Sequence, residues 1–376
     1  MTDFRWMEKG SARSAGWRSE NGYPPPARGI AAGDALTAAA ACRIAAADQG
    51  IVWRGDFQNA RKVLQAMAKR LDRLPAGAPP RTPAETFHRH RAAQALRART
   101  LGMLLLPFDA DHRVPLRRAP DVRQACVEVR GVASEPYVSS LRELQGLIGA
   151  HEWRKKGVEV PALGGRIHPH YGVFAPIRGE YADLVARAPL PSRASAFDIG
   201  TGTGVLAALL ARRGVERIVA TDLDPRAVAC ARENLERLGL GGRVETKPAD
   251  LFPEGRAALV VCNPPWIPAQ PTSPLERAVY DPESRMLRAF LAGLAAHLEP
   301  AGEGWLILSD LAEHLGLRSR AELLAAIDEG GLEVAGRIEA RPVHPRARDA
   351  EDPLHAARKA EVTSLWRLRS KGRDSG

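Results

Sequence analysis

"ASAFDIGTGTG", Ala194 to Gly204, is a short apolar run that ends on a carboxylate, Asp198, and three glycines at alternate positions, Gly200, Gly202 and Gly204. An apolar run of this length bounded by glycine reads as a buried strand, and the residues that follow, Val205 to Arg213, read as a helix. The glycines therefore fall in a strand-to-helix turn. There the backbone can pass close to a ligand, and the helix N-terminus offers free N–H groups. The alternation continues downstream. "RIVATD", a helix from Pro225 to Leu238, "RVETKPAD", "AALVVCN", a helix near Ser284 to Leu298 and "GWLILSD" follow in turn. The pattern predicts an α/β fold with a doubly wound sheet. "LEVAGRIEA" and "VTSLWRLRS" are strand patterns with no helical pattern between them, which predicts a final antiparallel pair.

Upstream the character differs. Residues 1–32 are rich in Gly, Ser, Arg and Pro and show no apolar period, so a disordered leader is expected. Residues 33–160 are expected to form a mainly helical domain. Asp34 is placed to cap a helix from Ala35 to about Ala47, and Asp56 one from Phe57 to about Leu74. "TPAE" (Thr82 to Glu85) and "SLRE" (Ser140 to Glu143) have capping-box spacing, and "RQACVEVRG" reads as a strand. Residues 161–376 are expected to form the α/β domain. A chain of 376 residues accommodates both.

Charge and cysteine content narrow the classes. Residues 1–190 carry 29 Lys and Arg against 18 Asp and Glu, whereas residues 191–376 carry 25 against 26, so the basic excess lies in the first half. Clustered cations suit phosphates, so a nucleic-acid or ribosome-facing surface is one reading of that half; a bias towards Ala and Arg is the other. Cys42, Cys126, Cys230 and Cys262 lack Cys-x-x-Cys spacing, and neither a metal site nor a disulfide framework is expected. No run approaches the ~20 apolar residues of a membrane helix, and a cytoplasmic protein with no membrane partner is expected.

The glycine turn implies a nucleotide-like ligand. Asp222 ends the next strand, where a carboxylate accepts both hydroxyls of a ribose, while Asp224 and Pro225 read as the N-cap and first turn of the following helix. The dinucleotide fingerprint is Gly-x-Gly-x-x-Gly, whereas the spacing here is Gly-x-Gly-x-Gly, so the third glycine is misplaced for a pyrophosphate. S-adenosyl-L-methionine fits better, with its ribose on Asp222 and its sulfonium near Asp198. Over residues 165 to 370 the chain resembles the class I S-adenosylmethionine-dependent methyltransferases. "DIGTGTG" is similar to their first motif (Asp198, Gly200, Thr201, Gly202, Gly204), "TDLD" to the ribose motif (Asp222, Leu223), "ADLF" to the adenine-side motif (Asp250, Leu251) and "NPPW" to the catalytic motif (Asn263, Pro264, Pro265, Trp266). The resemblance implies a seven-stranded Rossmann-like sheet with an antiparallel terminal strand, with Asn263 also beside the cofactor.

The "NPPW" corner has a chemical logic of its own. An amide or aromatic amine is a poor nucleophile because its lone pair is delocalised. The Asn263 side-chain carbonyl and the Pro264 backbone carbonyl can accept the two N–H bonds and aim the nitrogen, Pro265 stiffens the wall, and Trp266 can stack on a flat acceptor. Among these families "NPPWIP" and "VFAPIRGEYADLV" look most like the release-factor glutamine N5-methyltransferases, which also carry a helical N-terminal domain. That resemblance implies a protein substrate such as a translation factor, and puts Phe174, Pro176 and Glu180 near the cofactor. Three features depart from it: Trp266 itself, a first half longer than the family's helical domain, and the absence of the family's glycine-rich segment from "YDPESRMLRAFLAGL". The rival acceptor is an exocyclic amine of adenine or guanine in RNA or DNA, gripped by the basic first half. A nicotinamide-dependent oxidoreductase has the glycine spacing against it. His168, His170 and Tyr171 stay outside the site, and Arg341 to Ala360 is long enough for a gating or recognition loop.

Overall fold

The computed structural model describes residues 2–74, 79–342 and 349–372. The chain forms two compact units, residues 1–80 with 88–152, and residues 81–87 with 153–376.

The first unit is built on a closed six-stranded barrel, where a mainly helical domain was expected. Strands β1 (Asp3–Glu8), β2 (Ser11–Trp17), β3 (Arg28–Ala32), β4 (Gln49–Trp53), β5 (Leu104–Phe108) and β6 (Tyr137–Ser140) close in the order β1-β2-β6-β5-β4-β3. Three of these strands lie in the segment expected to be a disordered leader. The reason is a two-residue period hidden in polar sequence: in "DFRWME" Phe4 and Trp6 point inward and pack with Val52, Leu105 and Val138, while their neighbours face out. Helices α1 (Ala38–Ala46), α2 (Phe57–Asp72), α3 (Pro83–Gly102), α4 (Arg123–Arg130) and α5 (Leu141–Lys156) fall between and after the strands. Helix α4 replaces the strand expected at "RQACVEVRG". Its buried side chains, Val122, Ala125 and Cys126, follow an i, i+3, i+4 spacing, and Val127 is exposed.

Three caps behave differently from one another. Asp56 caps α2 as expected, with Oδ1 accepting the Gln58 N–H at 2.8 Å. Helix α1 starts on Thr37, because the Asp34 carboxylate instead accepts the Asp56 N–H. "SLRE" does not close a box. Ser140 Oγ accepts from Arg142 N–H, while Glu143 turns to Ser19, the Glu20 N–H and Arg130.

The second unit opens with a hairpin of β7 (Val158–Val160) and β8 (Gly165–Ile167) and helix α6 (Glu180–Arg187). Its main sheet contains β9 (Ser195–Ile199), β10 (Arg217–Asp222), β11 (Val244–Pro248), β12 (Ala257–Cys262), β13 (Leu298–Ser309), β14 (Leu332–Ala340) and β15 (Thr363–Ser370), ordered β11-β10-β9-β12-β13-β15-β14. The first five are parallel, and β15 lies antiparallel between β13 and β14, as the terminal patterns predicted. Every residue of β9 and β12 is buried, which is why these stretches read as continuous apolar runs rather than alternating ones. Helices α7 (Val205–Arg212), α8 (Pro225–Arg237), α9 (Arg285–His297), α10 (Leu311–His314), α11 (Arg320–Glu329) and α12 (His355–Ala360) complete the unit. Helix α12 sits between the last two strands, where no helix was expected. Residues 343–348 of the long loop lie outside the described residues.

Candidate active site

The register of three strands brings the site together. Ile199, the last residue of β9, pairs with Thr221 of β10 on one side and Cys262 of β12 on the other. The residues that follow each of them, Gly200, Asp222 and Asn263, therefore leave the sheet at one level. The chain runs outward in opposite directions from β9 and β12, and the crevice outside such a switch point is where ligands bind in open α/β sheets.

The glycine turn is shaped by close approach. Gly200, Gly202 and Gly204 all have left-handed φ, of 71°, 56° and 84°. A Cβ on Gly204 would lie 3.2 Å from the Ala231 Cα of α8, and one on Gly200 would lie 2.8 Å from Met286 Cε. A side chain at Gly204 would thus press on the α8 backbone, and one at Gly200 would displace the end of the Met286 side chain. The Thr201 N–H donates to the Thr221 carbonyl at 2.8 Å, and the Gly202 N–H donates to Asp222 Oδ2 at 2.9 Å, so the turn is tied to β10 twice. Asp222 Oδ1 accepts the Asp224 N–H at 3.0 Å, and Asp224 caps α8 as read from the sequence.

Asp198 is buried beneath this turn. Its Oδ2 accepts from Thr201 Oγ1 at 2.7 Å and from the Ala207 N–H at 3.0 Å, while Oδ1 is buried without a hydrogen-bond partner. Burial pushes its carboxyl up to about 6; the Thr201 and Ala207 bonds oppose the rise, and the charge of Asp222 adds to it. Asp222 is also raised, by burial, against the N–H bonds from Asp224 and Gly202. Two raised carboxylates, one with an unfilled acceptor, form a site short of a positive charge. A sulfonium- and ammonium-bearing cofactor fits that deficit.

The remaining cofactor-side residues lie on the same edge. Asp250 and Leu251 follow the end of β11, whose Pro248 pairs with Asp222. Leu251 has a left-handed φ of 74°, and its carbonyl accepts from Thr221 Oγ1 at 2.6 Å. Asp250 is exposed, as is the Leu223 side chain next to Asp222.

At the Asn-Pro-Pro-Trp corner Pro264 is buried, and Asn263, Pro265 and Trp266 are half-buried. The Trp266 indole N–H donates to Asn263 Oδ1 at 2.8 Å, which fixes the orientation of the amide. A carbonyl oxygen accepts two hydrogen bonds, so Oδ1 keeps one acceptor position. The Trp266 ring meets all three apolar clusters of this unit that surround the corner, and the Arg178 guanidinium lies 4.9 Å from its centroid. The stacking surface expected of Trp266 thus has one neighbour already.

Arg178 is the residue that the sequence did not single out. Its Nε donates to Glu180 Oε1 at 2.5 Å and its Nη2 to Glu361 Oε1 at 3.0 Å, and Glu361 also accepts from Ser309 Oγ at 2.6 Å. Both glutamates are buried. One guanidinium thereby joins the segment before α6, the start of β15 and the corner tryptophan. Nothing in the local spelling "PIRGE" distinguishes it from a surface arginine paired with Glu180, because Glu361 and Trp266 are distant in sequence. The long loop before β15 contributes as well: Leu354 and Ala357 pack with Ile267, directly after the corner, and with Phe87. Of the residues in the covering segment, Pro176 and Glu180 are buried and Phe174 is half-buried. His168 and His170 are engaged by the Arg154 carbonyl and Glu233.

Residues 165–320 match the family model of the methyltransferase small domain. This segment is a methyltransferase domain. S-adenosyl-L-methionine is its cofactor, in keeping with the cation-short pocket. Over 170 residues the chain is 38% identical to a release factor glutamine methyltransferase of Cereibacter sphaeroides, covering 43% of this chain and 57% of that protein. It is 34% identical over 152 residues to a ribosomal protein L11 methyltransferase of Sorangium cellulosum, covering 40% of each. A tRNA1(Val) (adenine(37)-N6)-methyltransferase of Bacteroides fragilis is 29% identical over 164 residues, covering 39% of this chain and 69% of that protein. The chain thus spans less than two thirds of the length of the first two. Among the described residues, no helix is long and apolar enough to cross a membrane.

Proposed function

We propose that the protein is an S-adenosylmethionine-dependent N-methyltransferase whose acceptor is a planar amide nitrogen, a glutamine side chain of a translation factor or ribosome-associated protein in the cytoplasm. The observation that carries this reading is the oriented Asn263 amide, level with the glycine turn and pinned by Trp266 at 2.8 Å. Bound in the crevice, the cofactor supplies an electrophilic methyl group on a positively charged sulfur. Asp222 would hold the ribose hydroxyls, Asp198 Oδ1 would face the positive end, and Gly200, Thr201, Gly202 and Gly204 would shape the floor. Leu223, Asp250 and Leu251 would line the adenine side.

The remaining work belongs to the corner. Asn263 Oδ1, through its free acceptor position, and the Pro264 carbonyl take the two N–H bonds of the acceptor amide. The nitrogen lone pair then points along one line, which removes most of the orientational entropy from the barrier. Both prolines keep the carbonyls from turning. The acceptor nitrogen would gain the methyl group as the carbon–sulfur bond to the cofactor breaks, and its N–H, acidified by the new bond, would pass a proton to solvent, so no strong base is needed. The Arg178 bridge keeps Trp266, and through it Asn263, in register. The first unit serves substrate recognition.

The names of the relatives support a nitrogen acceptor and divide over its carrier, since they include a release factor, a ribosomal protein and a tRNA. The test is transfer of labelled methyl from S-adenosylmethionine in a lysate, split between protease and nuclease treatment. Label lost only to protease is expected. Label lost only to nuclease would transfer the reading to an exocyclic base amine.

A further inference from the structure

Five of the basic residues of the first half lie together on the barrel unit. Helices α1 and α2 pack side by side and enclose a surface cavity of about 500 Å³, lined by Ala38, Ala39, Ala66, Leu74, Lys69, Arg70 and Arg73. Along α2, Lys62, Lys69, Arg70 and Arg73 follow i, i+7, i+8 and i+11, which puts them on one exposed stripe with Ala66. At 1.5 Å per residue the stripe is about 17 Å long. Arg43 of α1 lies one turn from Ala39 and is exposed as well. The acidic side chains of the neighbourhood are engaged elsewhere: Asp72 with Arg97, Asp48 with Arg99, and Asp56 with Arg117 and Arg118. None of them neutralises the stripe.

We propose that the α1–α2 groove, with Lys69, Arg70 and Arg73 at its wall and Lys62 and Arg43 at its rim, grips the phosphate backbone of folded RNA. A concave row of unneutralised cations is complementary to a regularly spaced polyanion and gains affinity by releasing its counterions. The floor is alanine and leucine and contains no aromatic ring, so unpaired bases have no stacking platform and a helical backbone is the better match. The choice of RNA over DNA rests on the proposed function, whose acceptors are ribosome-associated; the phosphate grip itself does not. The groove would hold the protein on a ribonucleoprotein while the other unit methylates its acceptor.

The experiment is fluorescence anisotropy with a labelled RNA hairpin, a DNA duplex of the same sequence and polyglutamate, each over a salt series, using the full chain. Changing Lys69, Arg70 and Arg73 together to Gln is expected to weaken RNA binding roughly tenfold at low salt and to reduce the salt slope by about 3. Arg187, Arg217 and Arg256, exposed on the sheet unit, are changed to Gln as the charge-matched control and should leave binding intact. A variant with Lys62→Gln and Arg43→Gln should give a smaller loss in the same direction, and unchanged unfolding midpoints show that the groove variants remain folded. Equal losses in groove and control variants would overturn the site. Tighter binding of DNA, or of polyglutamate, would overturn RNA as the occupant. The methyl-label assay fails or succeeds separately: label in nuclease-sensitive material sinks the protein-acceptor reading and leaves the groove standing.

Discussion

Two buried aspartates, one in each unit, show how the molecule separates structure from function. Asp56 in the barrel unit has both oxygens filled, accepting from the Gln58 N–H, from Arg118 Nε and Nη2, and from Arg117 Nε at 2.7–3.0 Å. The Arg118 bond outweighs burial and, with the other donors, holds its carboxyl down at about 2. Asp198 in the sheet unit is equally enclosed, but one oxygen has no partner and its carboxyl is pushed up to about 6. A fold with a spare arginine could have satisfied Asp198 in the same way. The unmet acceptor is kept, as expected of a group whose partner arrives with a ligand.

The comparison is sharpened first by Asp198→Asn. Removing the charge that faces a bound cation should weaken S-adenosylmethionine roughly 30-fold or more by calorimetry. The unfolding midpoint of the ligand-free variant should not fall, because an unpaired buried charge goes with it. The same asymmetry appears with pH. A carboxyl raised to about 6 is mostly protonated at pH 5, so cofactor affinity is lost as pH falls through 6, by roughly tenfold between pH 7.5 and 5. Asp56 is depressed, so the stability it contributes is complete above its ordinary value near 3.8 and lost only as pH falls towards 2. Asp56→Asn should do the reverse of Asp198→Asn, with the midpoint lowered by roughly 5–10 °C and the cofactor affinity unchanged. Equal effects of the two substitutions on affinity would dissolve the distinction.

What was legible in the sequence follows the same division. The strands β9 and β12 could be read because both faces of the sheet are covered there, which makes each a nearly continuous apolar run. The placement of Gly200, Asp222 and Asn263 at one edge followed from their positions at strand ends. The barrel was illegible for the opposite reason. Its first strand, β1, buries one face only, so Phe4 and Trp6 are submerged among charged neighbours, and "RQACVEVRG" mimics alternation although it folds as a helix. Arg178 and Glu361 were invisible because their meaning lies in a contact across 183 residues of sequence. The hydrogen bond from Trp266 to Asn263 was open to inference, since three residues separate them in a rigid turn, but the ring suggested stacking first.

The account rests most heavily on Asn263 as the group that aims the acceptor nitrogen. Its most direct test measures the affinity of Asn263→Ala for S-adenosylmethionine alongside its transfer of labelled methyl to the lysate acceptor. The predicted result is cofactor affinity within about twofold of the unaltered protein and transfer reduced by roughly 100-fold or more. Parallel loss of binding and transfer, or transfer that survives the substitution, would contradict it.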